Sequence, residues 1–268
     1  MKTVPPATPF RAYPRSFEGI GRMVGHEAFE RLRAAHIMIT GIGGVGSWIA
    51  EALARSGIGT LTLVDLDDIC ESNINRQVHA LQSTVGKTKV RVMAERIHQI
   101  SPLTNVYAEE TYLTTANAAV LLDRNPDFFV DAIDAGRLKA LSLAMCRERS
   151  IPALTVGGAG GRLDPASVEM ADLGRAYNDP LLARVRRVLR QEYDFPRREK
   201  ARFGIPCVFS SELPRQPQDE NSACEVDASH SATRSIRLDC ATGFGAATFV
   251  TGTFAFHAAA HVIRHLAK

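Results

Sequence analysis

The sequence predicts an α/β fold: a Rossmann-like, doubly wound, mostly parallel sheet with a looser C-terminal portion and an apolar C-terminal helix. Three observations lead there. His36–Thr40 is a short apolar run feeding straight into Gly41-Ile42-Gly43-Gly44-Val45-Gly46, followed by Ser47–Ser56 of helical composition. Thr60–Asp65 is a second such run, rich in β-branched residues and closed by an acid. Short apolar runs then alternate with segments of helical period as far as about Gly161, which is the pattern of repeated βαβ units.

The elements run in order. The first 25 residues, rich in Pro and Gly, read as an N-terminal arm, and 26–268 as a single domain whose nucleotide-binding core spans about 26–161. A short helix is expected over Glu27–Ala35 and a strand over His36–Thr40. Gly57 is a natural stop for the helix that succeeds the glycine turn. Val90, Met93, Ala94, Ile97 and Ile100 recur at helical spacing, and Pro102 marks that helix's end. Val106–Ala108, Phe128–Ile133 and Ala153–Val156 read as strands, with helices near Thr115–Leu122 and Leu138–Arg149. Beyond Gly161 the pattern loosens into a Pro-rich, polar stretch to about Arg237. Within it, Leu181, Leu182, Val185, Val188 and Leu189 repeat at three- and four-residue intervals, as on an amphipathic helix. Ala241–Ile263 is nearly uncharged and close to bilayer-spanning length. Its Gly, Thr and Ala content and its histidines instead suggest a helix buried in the core or at a subunit interface.

Composition excludes more than it names. Hydrophobic residues make up 45% of 268 and charged residues 23%, with a net charge of +3, so bulk charge points to no partner. Arg184, Arg186, Arg187, Arg190, Arg197, Arg198, Lys200 and Arg202 form a basic run that suits phosphates or, equally, a solvated helix face. The five cysteines, Cys70, Cys146, Cys207, Cys224 and Cys240, are odd in number and show no C-x-x-C spacing. That argues against a disulfide scaffold or a four-cysteine zinc site and fits a reducing cytoplasm. No signal peptide is visible, and neither a membrane span nor a DNA partner is expected.

A glycine turn between strand and helix suits phosphate, because the backbone can approach and the helix start offers free N–H groups. Asp65, at the end of the second strand, suits ribose hydroxyls. Dinucleotide enzymes share both features. The residues after Asp65 separate the two possibilities: Asp65-Leu66-Asp67 leads to Asn73-Ile74-Asn75-Arg76-Gln77, and Val85-Gly86-Lys87-Thr88-Lys89 opens the next helix. Cations beside the first nucleotide serve a triphosphate rather than a dinucleotide. Asp134, after the fourth strand, is placed to hold Mg²⁺ against phosphates, or to cap a helix. His79 reads as a packed polar residue sooner than as a base.

The Gly41–Gly46 turn, the Asp65/Asp67 pair, Asn73–Gln77, Lys89 and Asp134 resemble the adenylation domain shared by ubiquitin-activating enzymes and the bacterial thiamine and molybdopterin activators, the ThiF/MoeB family. Gly41–Trp48, Ile74–Leu81, Val156–Gly161 and Asp239–Thr248 are similar in particular to its tRNA threonylcarbamoyladenosine dehydratase branch, the TcdA/CsdL type, over roughly residues 15 to 265. The resemblance implies an ATP-dependent enzyme. The carboxylate of threonylcarbamoyladenosine in tRNA attacks the α-phosphate, giving an acyl-adenylate and pyrophosphate. Attack by the carbamoyl group then closes a ring, with net loss of water.

The resemblance also implies roles. Gly41, Gly43, Gly44 and Gly46 cradle the nucleotide, Asp65 takes the ribose, and Asn73, Arg76 and Lys89 contact phosphates, with Arg76, Lys89 and Asp134 catalytic and Asp134 on Mg²⁺. Arg22, or failing it Arg15, would reach the ATP of the other subunit in a homodimer. Cys240 is either a sulfur-exchange thiol facing a cysteine desulfurase or a buried inert thiol. Zinc, held in many relatives by two C-x-x-C pairs, is not expected here. Two further readings remain: adenylation of a sulfur-carrier protein's C-terminus, and a non-catalytic nucleotide-binding partner in sulfur trafficking.

Overall fold

The computed structural model describes residues 15–215 and 244–268. Its centre is a seven-stranded sheet formed by β1 (His36–Thr40), β2 (Thr60–Val64), β3 (Asn105–Glu109), β4 (Phe128–Asp131), β5 (Ala153–Val156), β6 (Val168–Asp172) and β7 (Pro206–Ser210). The order is β3-β2-β1-β4-β5-β7-β6, parallel throughout except for β6 against β7. Ile37 pairs in register with both Leu61 and Phe128, so β1 lies between the first half of the sheet and the second. The strand order reverses beside β1. A crevice at the carboxyl ends of β1 and β4 results from that topology.

Helices cover both faces because alternate strand residues point both ways. Ile37, Ile39, Leu61, Leu63 and Val130 join a core with α2 (His26–Ala34), α3 (Gly46–Arg55), α4 (Lys89–Ile100) and α8 (Thr248–Leu266). Met38, Val64 and Phe129 face α5 (Ala118–Leu122) and α6 (Gly136–Glu148), while Cys207 and Phe209 face α6 and α7 (Pro180–Glu192). The remaining helix, α1 (Glu18–Val24), lies within the stretch read as an arm, and Phe17 just before it is buried in the first core.

The stretch read as loose is ordered where it is described. β7 inserts between β5 and β6, and its Cys207, Val208 and Phe209 are buried. Pro206 opens this strand at a position where proline removes no interior ladder bond. β6, Val-Glu-Met-Ala-Asp, is a half-buried edge strand with little apolar signature. α7 buries Leu181, Leu182, Val185, Val188 and Leu189, the stripe its spacing predicts. The strand expected over Phe128–Ile133 stops at Asp131, and the C-terminal helix starts at Thr248 rather than Ala241. No helix among the described residues is long and apolar enough to cross a membrane. α8 instead buries Gly252, Ala255, Ala258 and Ala259, small residues that let it lie close over the first core.

Candidate active site

The glycine turn leaves β1 in a shape that only glycine accepts at its ends. Gly41 has φ +85°, and a Cβ there would sit 2.8 Å from the Ala132 carbonyl. A Cβ on Gly46 would stand 1.8 Å from the Gly41 oxygen, so the first turn of α3 closes directly onto the loop. Gly43 differs: the one atom within reach of its added Cβ is Gln77 Nε2, at 4.0 Å. Here the missing side chain leaves open space over the backbone at the start of a helix.

Asp65 ties this turn to the next. Its carboxylate accepts from the backbone N–H of Ile42 at 2.7 Å and of Asp67 at 2.9 Å. Burial pushes its carboxyl above the ordinary value, against the opposing pull of Lys89 and the two N–H donors. Asp67 in turn holds Lys89 Nζ at 2.8 Å, with the lysine stem buried, and accepts from the Tyr112 hydroxyl on its other oxygen. The backbone joins the same residues, since Lys89 N–H donates to the Asp67 carbonyl at 3.0 Å. Asp65, Asp67 and Lys89 therefore form one connected group beside the turn.

The Arg76 loop approaches from the other side. Asn73 is buried, and its Oδ1 accepts from Cys70 N–H at 3.2 Å. Arg76 donates from Nη1 to the Ser72 carbonyl at 2.6 Å and to Asn75 Oδ1 at 3.0 Å. A Cβ on Gly44 would meet its stem at 3.4 Å. The residues that brace this loop, of which Trp48, Ala246 and Thr248 lie in motifs quoted above, were given no role from the sequence. The Arg76 carbonyl accepts from Trp48 Nε1 at 3.1 Å and Thr251 Oγ1 at 3.4 Å, while Asn75 Nδ2 donates to the Ala246 carbonyl at 2.7 Å. Thr248 Oγ1 donates to the Asn75 carbonyl. Gly245, in the same segment, accepts from Gly161 N–H at 2.7 Å. Two motifs far apart in the chain, Val156–Gly161 and the described end of Asp239–Thr248, thus meet at one edge.

Asp134 sits half-buried in the bend between β4 and α6. It is not the helix cap: that position is Ala135, which makes no side-chain cap bond. Behind it lies a pair with no sequence signal, Asp131 and Lys139, both fully buried and 3.0 Å apart. A second unforeseen pair, Arg162 with Asp179 at 3.6 Å, lies beneath the Gly157–Gly161 loop, where Asp179 accepts from Gly158 N–H at 3.0 Å.

Other residues lie apart from this cluster. Arg22 pairs with Glu18 of its own helix at 3.1 Å on an exposed face, and Arg15 is exposed at the start of the described chain. Cys240 lies outside the described residues. Cys146 and Cys207 are buried, and burial pushes both thiols up to about 12. His79 is 1% exposed, and desolvation, helped by Lys89 and Arg96, lowers its imidazole to about 3. It is a neutral core residue. Of the basic run, Arg186 donates to the Leu173 carbonyl at 3.4 Å, and Arg190 reaches Pro196 and stacks 5.3 Å from the Phe203 ring. Arg184 and Arg187 are exposed. Among the described residues, no three His, Cys, Asp or Glu side chains gather as a metal-binding group.

The model of the ThiF family matches residues 17–268. The tRNA threonylcarbamoyladenosine dehydratase of Haemophilus influenzae is 46% identical over 256 residues, covering 96% of this chain and 95% of its own. That of Escherichia coli K12 is 44% identical over 255 residues, covering 95% and 94%. The crystal structure of the E. coli enzyme, TcdA, in complex with ATP matches with a TM-score of 0.82 at 41% identity, over 94% of this chain and 93% of that one.

Proposed function

Given that this chain belongs to the ThiF family, we propose that it is an ATP-dependent dehydratase that cyclises threonylcarbamoyladenosine in tRNA through an acyl-adenylate. The observation that carries the reading is the gathering of a glycine turn, Asp65, Lys89, Arg76 and Asp134 at the carboxyl edge of the sheet where the strand order reverses.

Each group has a chemical task. The open backbone at Gly43, with Gly41, Gly44 and Gly46 shaping the turn, receives phosphate at the start of α3. Asp65 accepts ribose hydroxyls with its remaining lone pairs, and Asn73 steadies the phosphate side of the loop. Arg76 and Lys89 answer the negative charge that builds as the substrate carboxylate attacks the α-phosphate and pyrophosphate departs. The acyl-adenylate is then held beside its own carbamoyl group, so ring closure is intramolecular and expels AMP. Asp134 fits Mg²⁺, since that ion takes one or two protein carboxylates and completes its shell with phosphate oxygens and water. Bound there, the ion would supply charge neutralisation.

The wider reading is of one adenylation domain over 26–268, acting as a homodimer in the cytoplasm, with Arg22 or Arg15 offered to the ATP of the second copy. A cysteine desulfurase facing Cys240 belongs to the same reading. The test is pyrophosphate release from ATP with tRNA that carries threonylcarbamoyladenosine, with unmodified tRNA, and with a sulfur-carrier protein. Release with the first alone, and a modified nucleoside lighter by one water, is the expected result. Release driven by the carrier protein would favour the alternative adenylation reading.

A further inference from the structure

The Asp131–Lys139 pair takes no part in the adenylation chemistry, yet it is the most completely buried charged pair beside the site. Both side chains are 0% exposed. Lys139 Nζ lies 3.0 Å from Asp131 Oδ2 and donates to the Asp131 carbonyl at 3.3 Å. Thr155 Oγ1 of β5 donates to Oδ2 at 2.7 Å, and Ile133 N–H donates to Oδ1 at 3.3 Å. One carboxylate thus ties together β4, its neighbour β5, the first turns of α6 and the backbone of the bend carrying Asp134.

A buried ion pair is poor evidence of stability, because desolvation cancels much of the attraction. Well-packed apolar residues of similar volume often replace such a pair without loss. The pair does hold a geometry that they would not. The segment it anchors, Ala132–Ile133, is the surface against which Gly41 packs, so closely that a Cβ there would come 2.8 Å from the Ala132 carbonyl and 2.9 Å from the Ile133 nitrogen. A Cβ on Gly46 would likewise reach 3.3 Å from Ala132 Cβ. The bend is gripped from below by Lys139 and abuts the glycine turn above.

We infer that Lys139 and Asp131 are positioning residues, which set the height of the Asp134 bend against the glycine turn and hence the distance from Asp134 to the phosphates. The inference rests on the dehydratase reading for the phosphates. Its structural half does not, because it concerns the bend alone. The α6 helix adds no side-chain cap to fix the bend, so the carboxylate beneath anchors it together with Ala132 N–H on the Thr40 carbonyl at 2.8 Å.

The test uses two variants of the full chain. Asp131→Asn with Lys139→Met removes both charges together and leaves no unpaired buried ion. Thr155→Val removes a single hydrogen bond at nearly constant shape and is the milder change. Amide hydrogen exchange of residues 131–136, measured without nucleotide or tRNA, is expected to quicken at least tenfold in the double variant, with exchange across 36–40 unchanged. Its pyrophosphate release with modified tRNA is expected to fall at least tenfold in kcat, with KM for ATP within threefold. Thr155→Val should move both quantities the same way, by about threefold, and decides the matter if the double variant does not fold. Exchange that quickens evenly across the sheet, or a wild-type kcat per folded molecule, would make the pair a core filler and overturn the inference. Wild-type protein inert toward modified tRNA would sink the dehydratase reading and leave the exchange result standing.

Discussion

At the scale of single residues, the proposed phosphate-binding cations are held in place by neighbouring groups. Lys89 carries its ammonium on Asp67, and Arg76 carries its guanidinium on the Ser72 carbonyl and Asn75. Side chains held in this way need little rearrangement as charge develops, which is when such groups matter most. Arg76→Ala is therefore expected to lower turnover about 100-fold or more while shifting the melting temperature little. A variant that melts normally and keeps wild-type turnover would remove Arg76 from the chemistry. His79 makes a different residue-scale prediction. Its folded value of about 3 lies below the ordinary 6.5, so between those values the unfolded chain binds a proton that the folded chain refuses. Stability must then fall as pH drops through that window, by about 2 kcal/mol between pH 7.5 and 5 from this group. Urea unfolding at both pH values should show a smaller drop for His79→Leu than for the wild type.

At the scale of elements, α7 divides the basic run. Arg186 and Arg190 are turned toward Leu173, Pro196 and Phe203, whereas Arg184 and Arg187 are exposed, the stem of Arg184 lying beside Gly136. Replacing Arg184 and Arg187 by Ala is expected to flatten the salt dependence of tRNA binding by roughly 0.7 to 0.9 in log–log slope per lost phosphate contact. Replacing Arg186 and Arg190 should cost stability first. A filter-binding salt series with an unchanged slope for the outer pair would return α7 to a solvated face. Gly46 offers a sharper element-scale test. Gly46→Ala would drive a methyl into the Gly41 carbonyl, so a loss of several kcal/mol, or failure to fold, is expected in a thermal melt.

The same elements show what was legible in the sequence. The strand–turn–helix–strand opening was readable because β1 and β2, buried at all but their first residue, are built largely from aliphatic and β-branched side chains and lead into a glycine turn and an acid. The stripe of α7 was readable because one face is dry and the other wet. β6 was not, since an edge strand half open to water has no need of apolar alternation. The Asp131–Lys139 pair was hidden for another reason. Eight positions apart, the two meet only because a bend returns α6 under its own strand, and no local pattern records that.

At the scale of the whole molecule, the fold decides which nucleotide suits the crevice. The strand order reverses beside β1, with Lys89 held on Asp67 and the Arg76 stem beside Gly44, cations that suit a triphosphate and that a dinucleotide does not need. ATP is expected to bind and to raise the melting temperature as its concentration exceeds the dissociation constant, whereas NAD should do neither. Calorimetric titration with both nucleotides checks this, and tight NAD binding without ATP binding would rule it out.

The bracing of the Arg76 loop by the C-terminal segment has a consequence in time. Asn75 and Arg76 are joined to Ala246 and Thr251 across separations of 171 and 175 residues. At ribosomal rates of about 5–20 residues per second, the loop is made roughly 9 to 35 s before these C-terminal braces exist. Through that interval the loop has the Trp48 brace but lacks those from Ala246 and Thr251. The last helix thus completes the bracing of the Arg76 loop only when it has itself been made.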